Sequence, residues 1–175
     1  MSVVLGDKSK FAVEVGAPGQ LRRVDLWAAG VWLTCDDNVA FVPQFRRDVS
    51  ETAAWLRTAG GSPLPFAGLD PKAVHQRLML GSQADEEAET EAGYELSRQF
   101  QTLRWGPTTD NVTAHLFRDA GRLVITWDFW REEHLLNHPE HAGQVFVAEI
   151  PAEELMRILD DLVAVLDGVP GPSEP

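Results

Sequence analysis

The period of the apolar residues switches between two and about 3.6 along this chain, and these switches constrain the fold more than any other feature of the sequence. Residues 11 to 15 alternate in polarity, a turn containing glycine and proline follows, and residues 23 to 26 alternate again, which predicts a hairpin. Residues 31 to 34 and 39 to 42 flank the turn-forming residues 36 to 38 and predict a second, short strand pair.

The middle of the chain has helical spacing. Phe45 begins a series of apolar residues at i, i+4, i+8 and i+11, which predicts a helix that ends at Gly60. Asp70 and Pro71 are a cap and a first-turn proline, and they predict a second helix that continues to about Leu80. Apolar residues at helical spacing predict a third helix within residues 85 to 105.

The last third returns to alternation and then to a helix. Residues 112 to 116 and 123 to 130 alternate on either side of a turn at 119 to 121, and they predict the strongest strand pair of the chain. Residues 145 to 150 predict a further strand, and Pro151 opens a helix whose apolar stripe continues to Leu166.

This order of elements predicts an α+β fold in which about three to four helices pack on a largely antiparallel sheet. We expect a single domain over residues 1 to 168 and a disordered, proline-rich tail over residues 169 to 175.

The N-terminus lacks the apolar stretch of a signal peptide, and no apolar run reaches the roughly 18 residues of a membrane span. Together with a single cysteine, Cys35, these features predict a cytoplasmic protein that does not associate with membranes.

The acidic charge is concentrated in the second half of the chain. The formal net charge is −12, which argues against nucleic acid and anionic membranes as partners because both require basic patches. Residues 1 to 84 hold 9 basic and 8 acidic side chains, whereas residues 85 to 175 hold 6 and 19. Two segments, 85 to 95 and 149 to 167, carry six acids each, against no base in the first and Arg157 in the second. Such runs usually form solvated faces, but the first exceeds what solubility requires and indicates a basic partner.

The histidines at 134, 138 and 141 form the one metal-like spacing that we find in the sequence. His134 and His138 would share a helical face, and neutral imidazole is a common zinc ligand. Against this, Pro139 disfavours helical geometry at the residue before it, and no glutamate directly follows His134, as the zinc-protease helix motif requires. We therefore favour a polar loop between strands and expect neither a metal nor another cofactor.

No other enzyme signature emerges from the sequence. The chain has no nucleophile-elbow or dinucleotide-binding motif, and the glycines near residue 60 lack the lysine of a phosphate-binding loop. Cys35 is interpreted as a small apolar residue or a thiol at the edge of a turn. Alternation places Trp127 and Trp130 on opposite faces of their sheet, so one of them is a candidate for a surface without helices. We expect no catalytic residue and no enzymatic activity.

The opening residues 5 to 15, Leu-Gly-Asp-Lys-Ser-Lys-Phe-Ala-Val-Glu-Val, resemble the start of immunity protein family 42 of bacterial polymorphic-toxin systems. The resemblance extends to Trp27 and Gly30, to the helix that begins at Phe45, and to the strand that contains Trp127. It implies a small cytosolic α+β protein that binds and neutralises a cognate toxin, and it supplies no catalytic residues.

The leading hypothesis is therefore an immunity protein whose acidic surface binds a basic toxin site. Five acids form the predicted binding surface: Asp85, Glu86, Glu87, Glu89 and Glu91. Two alternatives stay open, a small metal-dependent enzyme that uses His134, His138 and His141, and an acidic adaptor that binds some other basic protein.

Overall fold

A computed structural model describes residues 1–58, 62–81 and 87–168. The N-terminal part forms an antiparallel sheet in which β1, β2, β3 and β4 are neighbours in that order, and β5 also pairs with β3. Its strands are β1 (Val3–Asp7), β2 (Phe11–Val15), β3 (Leu21–Ala28), β4 (Val31–Trp32) and β5 (Val39–Phe41).

A second antiparallel sheet follows, in the order β6, β7, β8, β9. Its strands are β6 (Gln101–Thr102), β7 (Val112–Asp119), β8 (Arg122–Phe129) and β9 (Phe146–Pro151). The helices are α1 (Val42–Thr58), α2 (Pro71–Gly81), α3 (Glu87–Phe100), α4 (Glu132–Asn137) and α5 (Ala152–Leu166), with 3-10 turns at Pro107–Thr109 and Pro139–His141. Within the described residues, no helix is long and apolar enough to span a bilayer.

The α+β prediction is confirmed, with two antiparallel sheets in place of one. The predicted face of α1 is the buried one, since Phe45, Val49, Ala53 and Leu56 all enter the core. The hairpin of β7 and β8 also forms as predicted. The predicted pairing between residues 31 to 34 and 39 to 42 is wrong, because β4 and β5 each pair with a different part of β3. The long strand β3 offers both segments a partner, which the local turn pattern cannot reveal.

The second sheet separates two apolar layers. The face of β8 that carries Leu123, Ile125 and Trp127 joins the main core with the first sheet, α1 and α5. The opposite face, with Val124 on β8 and Phe117 on β7, packs under α2 and α3. Because residues alternate across a strand, β8 supplies polar side chains, Thr126 and Asp128, to this second layer. Both layers contain polar clusters built around histidine.

Candidate functional site

The histidine segment lies between the strands β8 and β9, as predicted, but it is helical and not the polar loop that we favoured from the sequence. Residues 132–137 form α4, and residues 139–141 form a 3-10 turn. Glu132 and Glu133 lie in the first turn of α4, where negative charge stabilises a helix N-terminus. The helix ends before Pro139, as predicted from that proline, with His138 as its C-cap.

Aromatic stacking holds the three histidine rings together over Phe129, the last residue of β8. The ring of His134 stacks on Phe129 at 4.0 Å between centroids, and His141 stacks on the same ring at 4.8 Å. His138 stacks on His134 at 4.8 Å and on His141 at 5.3 Å. His134 is 1% exposed, so the end of β8 anchors the whole segment through this ring.

A hydrogen-bond chain runs from the β4–β5 connection into the histidine cluster. Asn111 donates its amide to Asp36 Oδ2 at 2.6 Å, and His134 Nδ1 donates to the same oxygen at 2.7 Å because a carboxylate only accepts. His134 Nε2 lies 2.8 Å from His141 Nδ1. When His134 is neutral, this Nε2 accepts, and His141 must donate from Nδ1. The Nε2 of a neutral His141 then keeps a free lone pair.

Glu140 lies between the two outer histidines. Its Oε1 atom is 3.4 Å from His138 Nδ1 and 3.8 Å from His141 Nε2. A hydrogen bond from its own backbone amide, helped by His138, lowers the pKa of Glu140. Burial, followed by the neighbouring His134, lowers the pKa of His141. At neutral pH the site therefore combines an ionised carboxylate with a neutral imidazole.

Cys35 lies against the inner side of the cluster, with its Sγ 3.8 Å from His134 Nδ1. Burial, followed by the charge of Asp36, raises the pKa of the Cys35 thiol to about 11. A protonated, half-buried thiol is a poor nucleophile, which agrees with its interpretation as a residue at the edge of a turn.

A second histidine pair, which we did not single out in the sequence, is buried between the helices and the second sheet, with His75 on α2 and His115 on β7. The Nδ1 atoms of His75 and His115 are 3.0 Å apart, and His75 also contacts Thr126 and Asp128. His115 Nε2 lies 3.2 Å from the Ser97 hydroxyl. Burial, followed by the proximity of His75, lowers the pKa of His115 to about 3. Alternation along β7 predicts that His115 lies on the face that does not point to the main core. Nothing in the sequence indicates that His75 packs against it.

The acids of the predicted binding surface fall largely where side chains are not described. Asp85 and Glu86 lie outside the described residues. Glu87, Glu89 and Glu91 belong to the first part of α3, which confirms a helix in this segment. The same helix carries Tyr94, which is exposed.

The other acidic segment, residues 149 to 167, is largely neutralised by ion pairs. Glu149 pairs with Arg122, and Glu154 pairs with Lys10. Asp160 and Asp167 on or beside α5 pair with Arg57 and Arg46 of α1. Asp161 pairs with Arg157 within α5. Five of the six acids of this segment are therefore paired, three of them with residues that connect α5 or its C-cap to other elements, and they do not form a free acidic face.

A polar cleft of about 460 Å³ opens between α1, α3 and the start of β7. Gln44 and Asp48 of α1 line one side, and Tyr94 of α3 lines another. Trp130, at the rim, is 54% exposed, whereas Trp127 is fully buried in the main core. Trp130 lies just beyond the end of β8, and helices cover both faces of the second sheet, so the exposure of Trp130 does not come from the sheet face without helices that the alternation suggested.

These features define a class of fold, an α+β protein of two antiparallel sheets with helices α1 and α5 packed against the core between them. Within this class, the chain is similar to CdiI from Burkholderia dolosa AUO158, a contact-dependent-inhibition immunity protein. The crystal structure of CdiI superposes with a TM-score of 0.62 over 93% of this chain and 99% of that chain, at 11% sequence identity. No family model and no curated protein match the sequence of this chain.

Proposed function

We propose that this chain is an immunity protein that binds and neutralises a cognate toxin of a bacterial polymorphic-toxin system. The observation that carries the proposal is the likeness to CdiI, which covers nearly the whole of both chains. At 11% identity this likeness concerns the fold alone, so the activity is transferred here as a hypothesis. The cytoplasm is the expected site of action.

The N-terminal sequence supports the same proposal independently. The residues that resemble immunity family 42 form β1, β2 and the turn between them. The finer assignment to family 42 rests on this pattern and stays a prediction, because no family model matches. Both lines nevertheless lead to one role, inhibition by binding without catalysis.

We further propose that acids from residues 85 to 91 contact a basic region of the toxin. Positions 87 and 91 precede Tyr94 by seven and three residues, which is the spacing of one helical face. Tyr94 and Trp130 border the polar cleft, and exposed aromatic residues are frequent anchors of protein interfaces. The acids would steer the encounter with the toxin, and the two aromatic residues would anchor the complex.

Binding to the toxin is tested directly by calorimetric titration. The toxin candidate is the toxin domain that an immunity role requires to be encoded next to the gene for this chain. The proposal predicts one tight complex per chain and loss of the toxin's activity at equimolar inhibitor. Failure of the two purified proteins to associate, or a complex in which the toxin stays active, would contradict it. An acidic adaptor would bind a basic partner without protecting against any toxin.

The proposed role of the acids is tested by measuring the rate at which this chain associates with the toxin at increasing salt concentration. Neutralising the five acids of the predicted surface should slow association by about tenfold or more, and added salt should slow the wild type steeply. A matched control neutralises five exposed acids elsewhere: Glu51, Asp119, Glu132, Glu133 and Glu153. Equal slowing by both variants would reduce the effect to net charge and refute a local surface, even if the toxin is bound.

A further inference from the structure

We propose that His138, Glu140 and His141 form a binding site for a transition-metal dication of the zinc type. The proposed ligand atoms are His138 Nδ1, Glu140 Oε1 and His141 Nε2. This site is independent of the immunity function, since it lies on the α4 segment and involves none of the acids proposed to bind the toxin. The remaining coordination position would be filled by water.

The spacing of the three donors suits one ion. Zinc bonds to histidine nitrogen and carboxylate oxygen measure about 2.0 to 2.2 Å, so neighbouring ligands in a tetrahedral site lie about 3.4 Å apart. Glu140 Oε1 is 3.4 Å from His138 Nδ1 and 3.8 Å from His141 Nε2. All three residues offer ligand atoms within 4.8 Å of one another. Side-chain rotations alone can close the remaining gaps, because His138 and Glu140 are partly or largely exposed.

The hydrogen-bond chain behind the site prepares His141 as a ligand. Asp36 accepts from His134 Nδ1, and His134 Nε2 then accepts from His141 Nδ1. A metal-bound histidine commonly donates its other ring nitrogen in this way, which fixes its tautomer and orientation. Stacking on Phe129 holds the His141 ring in place as well. The tautomer of His141 that leaves its Nε2 lone pair available is thus set by a hydrogen-bond chain that begins at Asp36.

A second possible set of metal ligands, on the more buried side of the histidine cluster, consists of Cys35, His134 and His138. His134 Nδ1 is already committed to Asp36 at 2.7 Å, so its lone pair is not available there. A metal-bound cysteine must also be deprotonated, which the buried surroundings of Cys35 disfavour. The outer set of His138, Glu140 and His141 needs no deprotonated thiol, and it asks only that the half-exposed His138 carry its proton on Nε2, so that Nδ1, now 3.4 Å from Glu140, offers its lone pair.

The chemistry of the donors defines the class of ion. Two imidazoles and one carboxylate match the ligands that zinc and neighbouring first-row dications prefer, whereas calcium and magnesium select oxygen. All three donors lie within four consecutive residues, so a bound ion would tie the C-terminal end of α4 to the 3-10 turn. We assign no reaction to the ion.

The proposal is tested by titrating the full-length chain, stripped with chelator and free of any histidine tag, with zinc chloride in a calorimeter. We expect one ion per chain in the wild type. His138→Ala, Glu140→Gln and His141→Ala should each weaken affinity by about tenfold or more. Two controls should bind as the wild type does: Glu133→Gln, an exposed acid on α4, and Cys35→Ser.

Cobalt(II) provides a second readout, because a bound thiolate gives a charge-transfer band in the near ultraviolet that nitrogen and oxygen donors do not. The proposal predicts tetrahedral cobalt absorption without the thiolate band. It is overturned if no ion binds at about one equivalent, if all three ligand variants bind as the wild type does, or if Cys35→Ser abolishes binding and the thiolate band is present.

Discussion

At the scale of single residues, two buried polar side chains connect distant parts of the fold. Arg22 is 5% exposed, and its guanidinium donates to the carbonyl oxygens of Gly16 at 2.7 Å and Val165 at 2.9 Å. It thereby links the β2–β3 turn to the C-terminal end of α5. His115 is fully buried beside His75 and is held neutral there. For each of these two residues we therefore expect an effect on stability that an exposed residue would not have.

Arg22→Met should lower the free energy of unfolding by about 3 kcal/mol, because it removes charged hydrogen bonds and leaves two carbonyl groups without this donor. Urea denaturation followed by circular dichroism measures the change. The control is Arg23→Met, whose side chain is 50% exposed and should cost about 1 kcal/mol or less. Equal costs for the two variants would contradict the structural role of Arg22.

His115 should make stability depend on pH. Its pKa is about 3 in the folded chain and about 6.5 when unfolded, so below pH 6.5 the unfolded state binds a proton that the folded state does not. Stability from this group is complete above pH 6.5 and falls as the pH drops toward 3. The stability difference between the wild type and His115→Gln should therefore be smaller at pH 5 than at pH 7.5 by about 2 kcal/mol. A difference that is the same at both pH values would show that His115 is not held neutral.

At the scale of elements, the close packing of β1 against β2 and α5 depends on Gly6. Its φ is +84°, and a Cβ there would collide with the Phe11 carbonyl and lie 2.7 Å from Ile158 Cδ1. Gly30, in the β3–β4 turn, also has a positive φ, +78°, but a Cβ there would meet nothing within 4 Å.

Comparing alanine at these two glycines separates backbone strain from collision. Gly30→Ala should cost about 1 to 2 kcal/mol from the left-handed backbone alone. Gly6→Ala should cost about 3 kcal/mol or more, because overpacking adds to that strain. Thermal or urea unfolding of both variants measures the difference. If Gly6→Ala is no more destabilising than Gly30→Ala, β1 is not packed as described.

Elements defined by local patterns were predictable from the sequence, whereas pairings between distant segments were not. The buried face of α1, the start of α2 at Pro71 and the β7–β8 hairpin follow from spacing and turn chemistry. Two strands went unpredicted: β6 has only two residues, and β1, with the sequence Val-Val-Leu-Gly-Asp, does not alternate between apolar and polar residues. The pairing of β5 with β3 depends on a strand that lies outside the local turn.

The candidate site, too, was predictable where it depends on local spacing and not predictable where it depends on distant segments. The spacing of His134, His138 and His141 identified the segment, but not its burial against Phe129. Asp36 lies 98 positions before His134, and no local pattern could bring the two together. The charge runs look alike in the sequence, yet the partners of residues 149 to 167 come from α1, β1–β2 and β8 as well as from α5. Ion pairing between distant segments of the fold thus decides which acids remain available to bind a partner.

At the scale of the whole molecule, a shared fold at 11% identity separates architecture from recognition. Two proteins that share an architecture but few residues would present different surfaces, and partner choice depends on surface charge and on a few anchoring side chains. CdiI from Burkholderia dolosa AUO158 is therefore a useful control, since it supplies a similar fold at only 11% sequence identity.

The proposed immunity function is tested most directly by the survival of cells that express the toxin domain expected to be encoded next to this chain's gene, with and without this chain. If this chain is the immunity protein, the toxin domain alone stops growth, co-expression of this chain restores it, and co-expression of the Burkholderia CdiI does not. If the toxin domain kills cells equally with and without this chain, at matched protein levels, the proposed immunity function is wrong.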